Sequence, residues 1–196
     1  MIKSKTLTLF LLISNLAFSQ QQTALPQVEV EGQPFGANAN RVAQALEFLG
    51  VPLDQNILKS LKVAIDKRDA VAIQMILDPL VLVAVSVNPE LRVKVRRGSA
   101  KAELQQGGFT PFLLKVFNNA TVARPLRVGS PQAGPVYSGA SLGILKRQAQ
   151  TELNANENSK GDKSRFLSVE VFSKPPMLPN LSGLEAEYAI LLIYSQ

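Results

Sequence analysis

The sequence predicts an α+β fold in which short N-terminal helices pack on an immunoglobulin-like antiparallel β-sandwich. Three observations carry this expectation. Apolar residues between 42 and 77 recur at helical spacing. From residue 80 the period changes to the alternation of strands. Beyond that point the strands are short and turn signals return every ~8–12 residues, the spacing of sandwich folds.

Taken in order, residues 20–39 are polar and carry Pro26, Gly32, Pro34 and Gly36, which predicts a linker. Val42, Leu46 and Leu49 then lie on one helical face, closed by Gly50 and Pro52. Asp54 is placed to cap a second helix with the stripe Leu58, Leu61 and Ile65. Asp69 is placed to cap a third, carrying Ile73, Ile76 and Leu77 and stopped by Asp78-Pro79. Helices this short bury too little to stand alone and are expected to pack on the strands C-terminal to them. Residues 80–87 are β-branched and almost wholly apolar, and Asn88-Pro89 makes a turn. Leu91, Val93 and Val95 alternate with Arg92, Lys94 and Arg96, the clearest half-buried strand in the chain. Further strands are expected at 100–104, 109–117, 125–128, around 166–171 and at 185–194. The core would comprise Leu82, Val85, Val93, Val95, Leu113, Val116, Val169, Ile190 and Leu192. The last strand is so apolar that it reads as central, either paired inside the sheet or leading into a longer protein. Residues 129–143 and 148–163 are polar and read as loops. The domain reading is therefore a leader over 1–19, a linker over 20–39, a helical segment over 40–78 and a β-sandwich over 79–196.

The leader has the three parts of a secretory signal: Lys3 and Lys5, an apolar run over 7–13, and Ala17-Phe18-Ser19 before Gln20. Polar Ser14, Asn15 and Ser19 break it before it reaches the ~20 residues a spanning helix needs. The expectation is an exported protein, periplasmic or extracellular, with no transmembrane segment in the mature chain. Export without any Cys fits a bacterial source.

Among 196 residues there is no His, Cys or Trp. The commonest general base and metal ligand is missing, and so are thiol nucleophiles, disulfides and iron–sulfur ligands. Composition points away from catalysis, and no cofactor is expected. The formal net charge of +6 is uneven. Residues 91–147 hold ten basic groups against Glu103 alone, whereas the flanking parts are acidic.

This basic stretch supplies the one candidate binding site. Arg92, Lys94 and Arg96 share a strand face, and Arg97 and Lys101 come next, a pattern that could meet an anionic glycan or cell-surface polymer. The plainer reading is a solvated strand face that resists edge pairing. No aromatic residue is interleaved to stack on bases, so nucleic acid is not expected as a partner. Five other features carry less. Asn154, Asn156 and Asn158 with Glu157 and Asp162 are too poor in carboxylates for calcium. Glu185 and Glu187 share a strand face, but no cleft is implied between them. The Gly/Pro/Ser-rich stretch over 130–139 lacks the strand–loop–helix setting of a phosphate loop, Ser182-Gly183 has no base, and Tyr137 is a lone ring.

Several short motifs occur together: Leu77-Asp78-Pro79-Leu80, residues 87–95 reading VNPELRVKV, residues 112–118 reading FLLKVFN, and residues 125–131 reading PLRVGSP. Lys174-Pro175-Pro176-Met177 and residues 181–188 reading LSGLEAEY complete the series. As an ordered set over roughly residues 40–195 they resemble the N-terminal accessory module of exported bacterial proteins carrying a PHP-type metallohydrolase domain of the CehA/McbA kind. In that family the metal site is built from His and Asp of the downstream domain, so the resemblance implies no ligand or catalytic residue here. It implies an accessory module without its enzyme, continuing in family members into further β-modules. The combined expectation is an exported, non-catalytic scaffold or interaction module. A binding module for an acidic glycan and the non-catalytic part of a split hydrolase are the alternatives, with a downstream hydrolase domain or protein as partner.

Overall fold

The computed structural model describes residues 24–130 and 167–195, a mixed α+β arrangement of three helices and one five-stranded sheet. The helices α1 (Gly32–Phe48), α2 (Gln55–Asp66) and α3 (Ala70–Leu77) come first, and a single 3-10 turn over Asp78–Leu80 leads into the sheet. The strands are β1 (Val81–Val87), β2 (Val93–Arg97), β3 (Phe109–Asn118), β4 (Leu167–Val171) and β5 (Ala186–Ser195), in the spatial order β2-β1-β3-β5-β4.

The caps sit where the sequence put them. The Asp54 carboxylate accepts the Asn56 N–H at 2.8 Å, and that of Asp69 accepts the Ala72 N–H at 2.9 Å. Helix α1 begins at Gly32, inside the stretch expected to be linker. The physical reason is burial: Phe35, Gly36 and Ala39 pack inward on the same face as Val42 and Leu46, which outweighs the poor helix propensity of the two glycines. Gly32 is itself required there, since a Cβ would fall 1.9 Å from the Arg68 carbonyl oxygen.

The pairings depart from an antiparallel sandwich. Strands β1 and β2 form an antiparallel hairpin, but β3 lies on the other side of β1 and runs parallel to it. Residues 98–108 make the crossover. Gly98 starts it so close to β1 that a Cβ would lie 2.1 Å from the Val81 carbonyl oxygen. The stretch 100–104, expected to be a strand, is this irregular connection, and 125–128 is also irregular. Strand β5 is paired on both sides, antiparallel to β3 and to β4, as its apolar run predicts.

Register divides the side chains between two faces. One face presents Leu113, Phe117, Ala186, Tyr188, Ile190 and Leu192 to Phe35, Val42, Leu61, Ile73 and Leu77 of the helices, and this is the main core. Fully burying a side chain such as Ile190 contributes roughly 1.5–3 kcal/mol. The opposite face carries Val85, Leu114, Val116, Ala189 and Leu191, all of them buried, and among the described residues the irregular segment that holds Ala120, Val122, Leu126 and Val128 packs on it. The described residues thus form one sheet that curls into a half-barrel with helices on one side.

Two expected core residues are corrected. Val93 and Val95 are 61% and 62% exposed. They share a face with Val83 and Val85, but among the described residues β2 is the edge strand, paired on one side only. Leu82, Val85, Leu113, Val116, Ile190 and Leu192 are buried as expected, and Val169 is half-buried.

Candidate functional site

Alternation in a strand sends every second side chain to one face, and five strands together pave the open face with valine, leucine and isoleucine. A groove of about 330 Å³ lies there. Val83, Val85, Val93 and Val95 of the β1–β2 hairpin form one wall, and Leu167, Val169, Leu191 and Ile193 of β4 and β5 form the other. Leu126 and Val128 of the covering segment reach into it, with Arg127, Gly129 and Ser130 alongside. Strands β2 and β4 stand at opposite ends of the sheet order, so their sharing one groove shows that the sheet curls around this face. The site is a concave apolar surface with few polar groups. Chemically it can bury apolar side chains or tails. Among the described residues no group of three His, Cys, Asp or Glu is placed to hold a metal ion, and no helix is long and apolar enough to cross a membrane.

The basic residues singled out from sequence are not gathered into one surface. Lys94 and Arg96 pair with Ser86 and Ala84 and so point away from the groove. The Arg96 guanidinium lies 5.2 Å from the Phe117 ring centroid, half-buried. Arg97 points the other way and is spent on backbone: it donates to the carbonyls of Leu82 at 2.6 Å and Gly98 at 2.9 Å, and to that of Ala100. Arg92 stands outside β2 in the hairpin turn, where its N–H donates to the Asn88 side chain at 2.7 Å. Lys101 is exposed and 3.9 Å from Glu103. Lys94 and Arg92 are the members that remain well exposed without such engagement of their side chains in the bonds above.

Glu185 is exposed, whereas Glu187 is buried; Ser182 donates both its N–H and its hydroxyl to the Glu187 carboxylate at 3.0 Å. Burial pushes the Glu187 carboxyl above its ordinary range, with the Ser182 bonds and nearby Arg41 opposing. The two acids therefore stand in different environments, one in solvent and one buried. The Ser182-Gly183 turn serves this carboxylate. Residues 154–158, Asp162, Tyr137 and the stretch 131–139 lie outside the described residues.

Sequence reasoning missed a buried polar cluster between helices and sheet. Lys115, fully buried in β3, places its ammonium 2.8 Å from Asp78 and 3.0 Å from the Gln74 side-chain oxygen. The Tyr188 hydroxyl donates to Asp78 at 2.7 Å. Burial lowers the Lys115 pKa, and the hydrogen bond and charge of Asp78 oppose that effect. Burial first, and Asp78 second, raise the Tyr188 pKa far enough that the phenol stays a donor. Two amides complete the arrangement by pairing with backbone as a neighbouring strand would. Asn38 donates to the Tyr188 carbonyl at 2.9 Å and accepts its N–H at 2.8 Å, and Gln74 does the same for Val28 at 2.8 and 3.0 Å. The one signal in sequence was a lysine inside the apolar run 112–117. Its role is to fix the helices on the sheet.

Comparison with protein-family models, with curated proteins and with solved structures finds no match to this chain.

Proposed function

We propose that this chain is an exported, non-catalytic interaction module, acting as a scaffold beside a hydrolase domain or protein in the manner of the accessory modules it resembles. The observation that carries the reading is the apolar groove of about 330 Å³ on the open face of the sheet, bordered by the exposed Val93 and Val95. Val85, Leu114 and Leu191 at its floor are buried while Val93 and Val95 at its rim are exposed, and exposed apolar side chains beside an apolar groove favour docking there. An immunoglobulin-like sandwich has a second sheet across this face, and a partner β-element seated in the groove would lie where that sheet lies. The lack of His and Cys supports a non-catalytic role. The acidic-glycan reading is less favoured, because Arg97 is bound to backbone carbonyls and lies on the opposite side of β2 from Lys94 and Arg96.

The test is a titration of the purified chain with 8-anilinonaphthalene-1-sulfonate, an apolar dye that fluoresces out of water. The expected result is saturable binding at one site that is lost in Val169→Glu, with circular dichroism unchanged. A folded chain that does not enhance the dye, or a Val169→Glu variant that binds it equally well, overturns the reading.

A further inference from the structure

We propose that the outer edge of β2 is a docking site for an extended segment of another protein in which apolar and acidic residues alternate. This rests on the interaction-module reading and names the partner's chemistry. Among the described residues β2 pairs on one side only, with β1. Two backbone hydrogen bonds fix which of its residues face inward: Asn88 N–H to the Arg92 carbonyl at 3.1 Å, and Gly98 N–H to the Leu82 carbonyl at 2.8 Å. Antiparallel ladders alternate between bonded and non-bonded pairs. Residues 92, 94, 96 and 98 therefore bond toward β1, and Val93, Val95 and Arg97 present N–H and C=O outward.

The same alternation sorts the side chains. Val93 and Val95 lie on the groove side, and Lys94 and Arg96 on the opposite side. A strand added along this edge continues both faces. Its residues beside Val93 and Val95 extend the apolar groove, and the intervening residues lie beside Lys94 and Arg96. Charge then selects among strands. The β2 side chains on the face away from the groove, Lys94 and Arg96, are both cations. Like charges across a strand pair are unfavourable, so a basic strand is rejected and an acidic one held. The same rule disfavours a second β2, which would set Lys94 and Arg96 beside their own copies. Strand β4 of a second copy has the right alternation, but its one acid, Glu170, meets only one of the two cations.

The test uses the full chain and fluorescein-labelled synthetic decapeptides, one alternating valine with glutamate and one alternating valine with lysine, monitored by anisotropy. The glutamate peptide is expected to bind at least tenfold more tightly than the lysine peptide, and increasingly so at low salt. Val95→Pro removes an outward N–H that β1 does not use, so the fold persists while affinity falls at least tenfold. Lys94→Glu, which leaves the backbone intact and Arg96 in place, is expected to abolish the preference between the peptides. Equal binding of both peptides, no binding of either, or full binding by Val95→Pro overturns the proposal. So does slow hydrogen exchange at Val93 and Val95 in the free monomer, which would put the chain's own residues on the edge. A chain that forms oligomers at micromolar concentration with these amides protected puts a second copy there and overturns it too. Peptide binding that survives Val95→Pro but is lost in Val169→Glu removes edge pairing and leaves the groove reading standing; loss of dye binding in the folded chain removes both.

Discussion

The ammonium of Lys115 lies 2.8 Å from the carboxylate of Asp78, and this buried pair joins the middle of β3 to the 3-10 turn that feeds β1. Tyr188 of β5 adds its hydroxyl to the same carboxylate. One aspartate thus collects groups from two strands at the seam where the helices meet the sheet. A buried pair is costly to assemble, but removing one partner costs more, because the other charge is left in a dry site.

Lys115→Met is therefore expected to destabilise the chain by about 3–5 kcal/mol, read from urea unfolding. Adding Asp78→Asn should restore part of that loss, because the amide oxygen still accepts from Tyr188 and no carboxylate is stranded. A single substitution costing under about 1 kcal/mol would mean that the pair is hydrated in solution.

Asn38 replaces a strand residue at Tyr188, beyond the point where the β4 ladder stops at Val171 and Leu191. Asn38→Ala leaves a buried N–H and a buried C=O without partners, at about 1–3 kcal/mol each. The expected loss is at least about 2 kcal/mol by denaturant unfolding, with fast hydrogen exchange at the Tyr188 amide. Protection at that amide equal to that of Ile190 would contradict it.

Glu187 sets a pH dependence. Its carboxyl is raised by burial from an ordinary value of 4.5, so between 4.5 and the raised folded value the native state holds a proton that the unfolded state has lost. Stability contributed by this group accordingly falls as pH rises through that window. The difference in unfolding free energy between the natural chain and Glu187→Gln should move against the natural chain from pH 4 upward. A difference that stays flat with pH, or moves the other way, would show that the Ser182 bonds and Arg41 outweigh burial.

Gly98→Ala tests the crossover. The added methyl meets the Val81 carbonyl oxygen at 2.1 Å; the Cβ is fixed to its own backbone and the oxygen is backbone, so neither yields cheaply. A loss of roughly 1–3 kcal/mol is expected, seen as a lower unfolding midpoint. An unchanged midpoint would mean that the β1–β2 hairpin opens at its base without cost.

Much of the helical half was legible because its signals are local. Asp54 and Asp69 cap within three residues, and Leu61, Ile73 and Leu77 report one face of a helix wherever it packs. The sheet was legible strand by strand but not in its order. Nothing in the sequence near 98–108 says that β3 will pass β2 and pair parallel with β1, since that choice is made by contacts far apart in the chain. The same gap explains Val93 and Val95: alternation assigned them a face correctly, but whether that face is covered depends on β2 being an edge strand. The Lys115 cluster was hidden because Asp78, Gln74 and Tyr188 are brought to it from other elements of the fold.

A partner can use the groove only if this face of the sheet is accessible in solution. Methyl NMR of the folded chain with a soluble paramagnetic agent measures this directly. The prediction is strong broadening at the Val93 and Val95 methyls and none at Ile190, which faces the helices. Val93 and Val95 methyls as protected as those of Ile190 would contradict it, since the groove would then already be filled and no partner could use it.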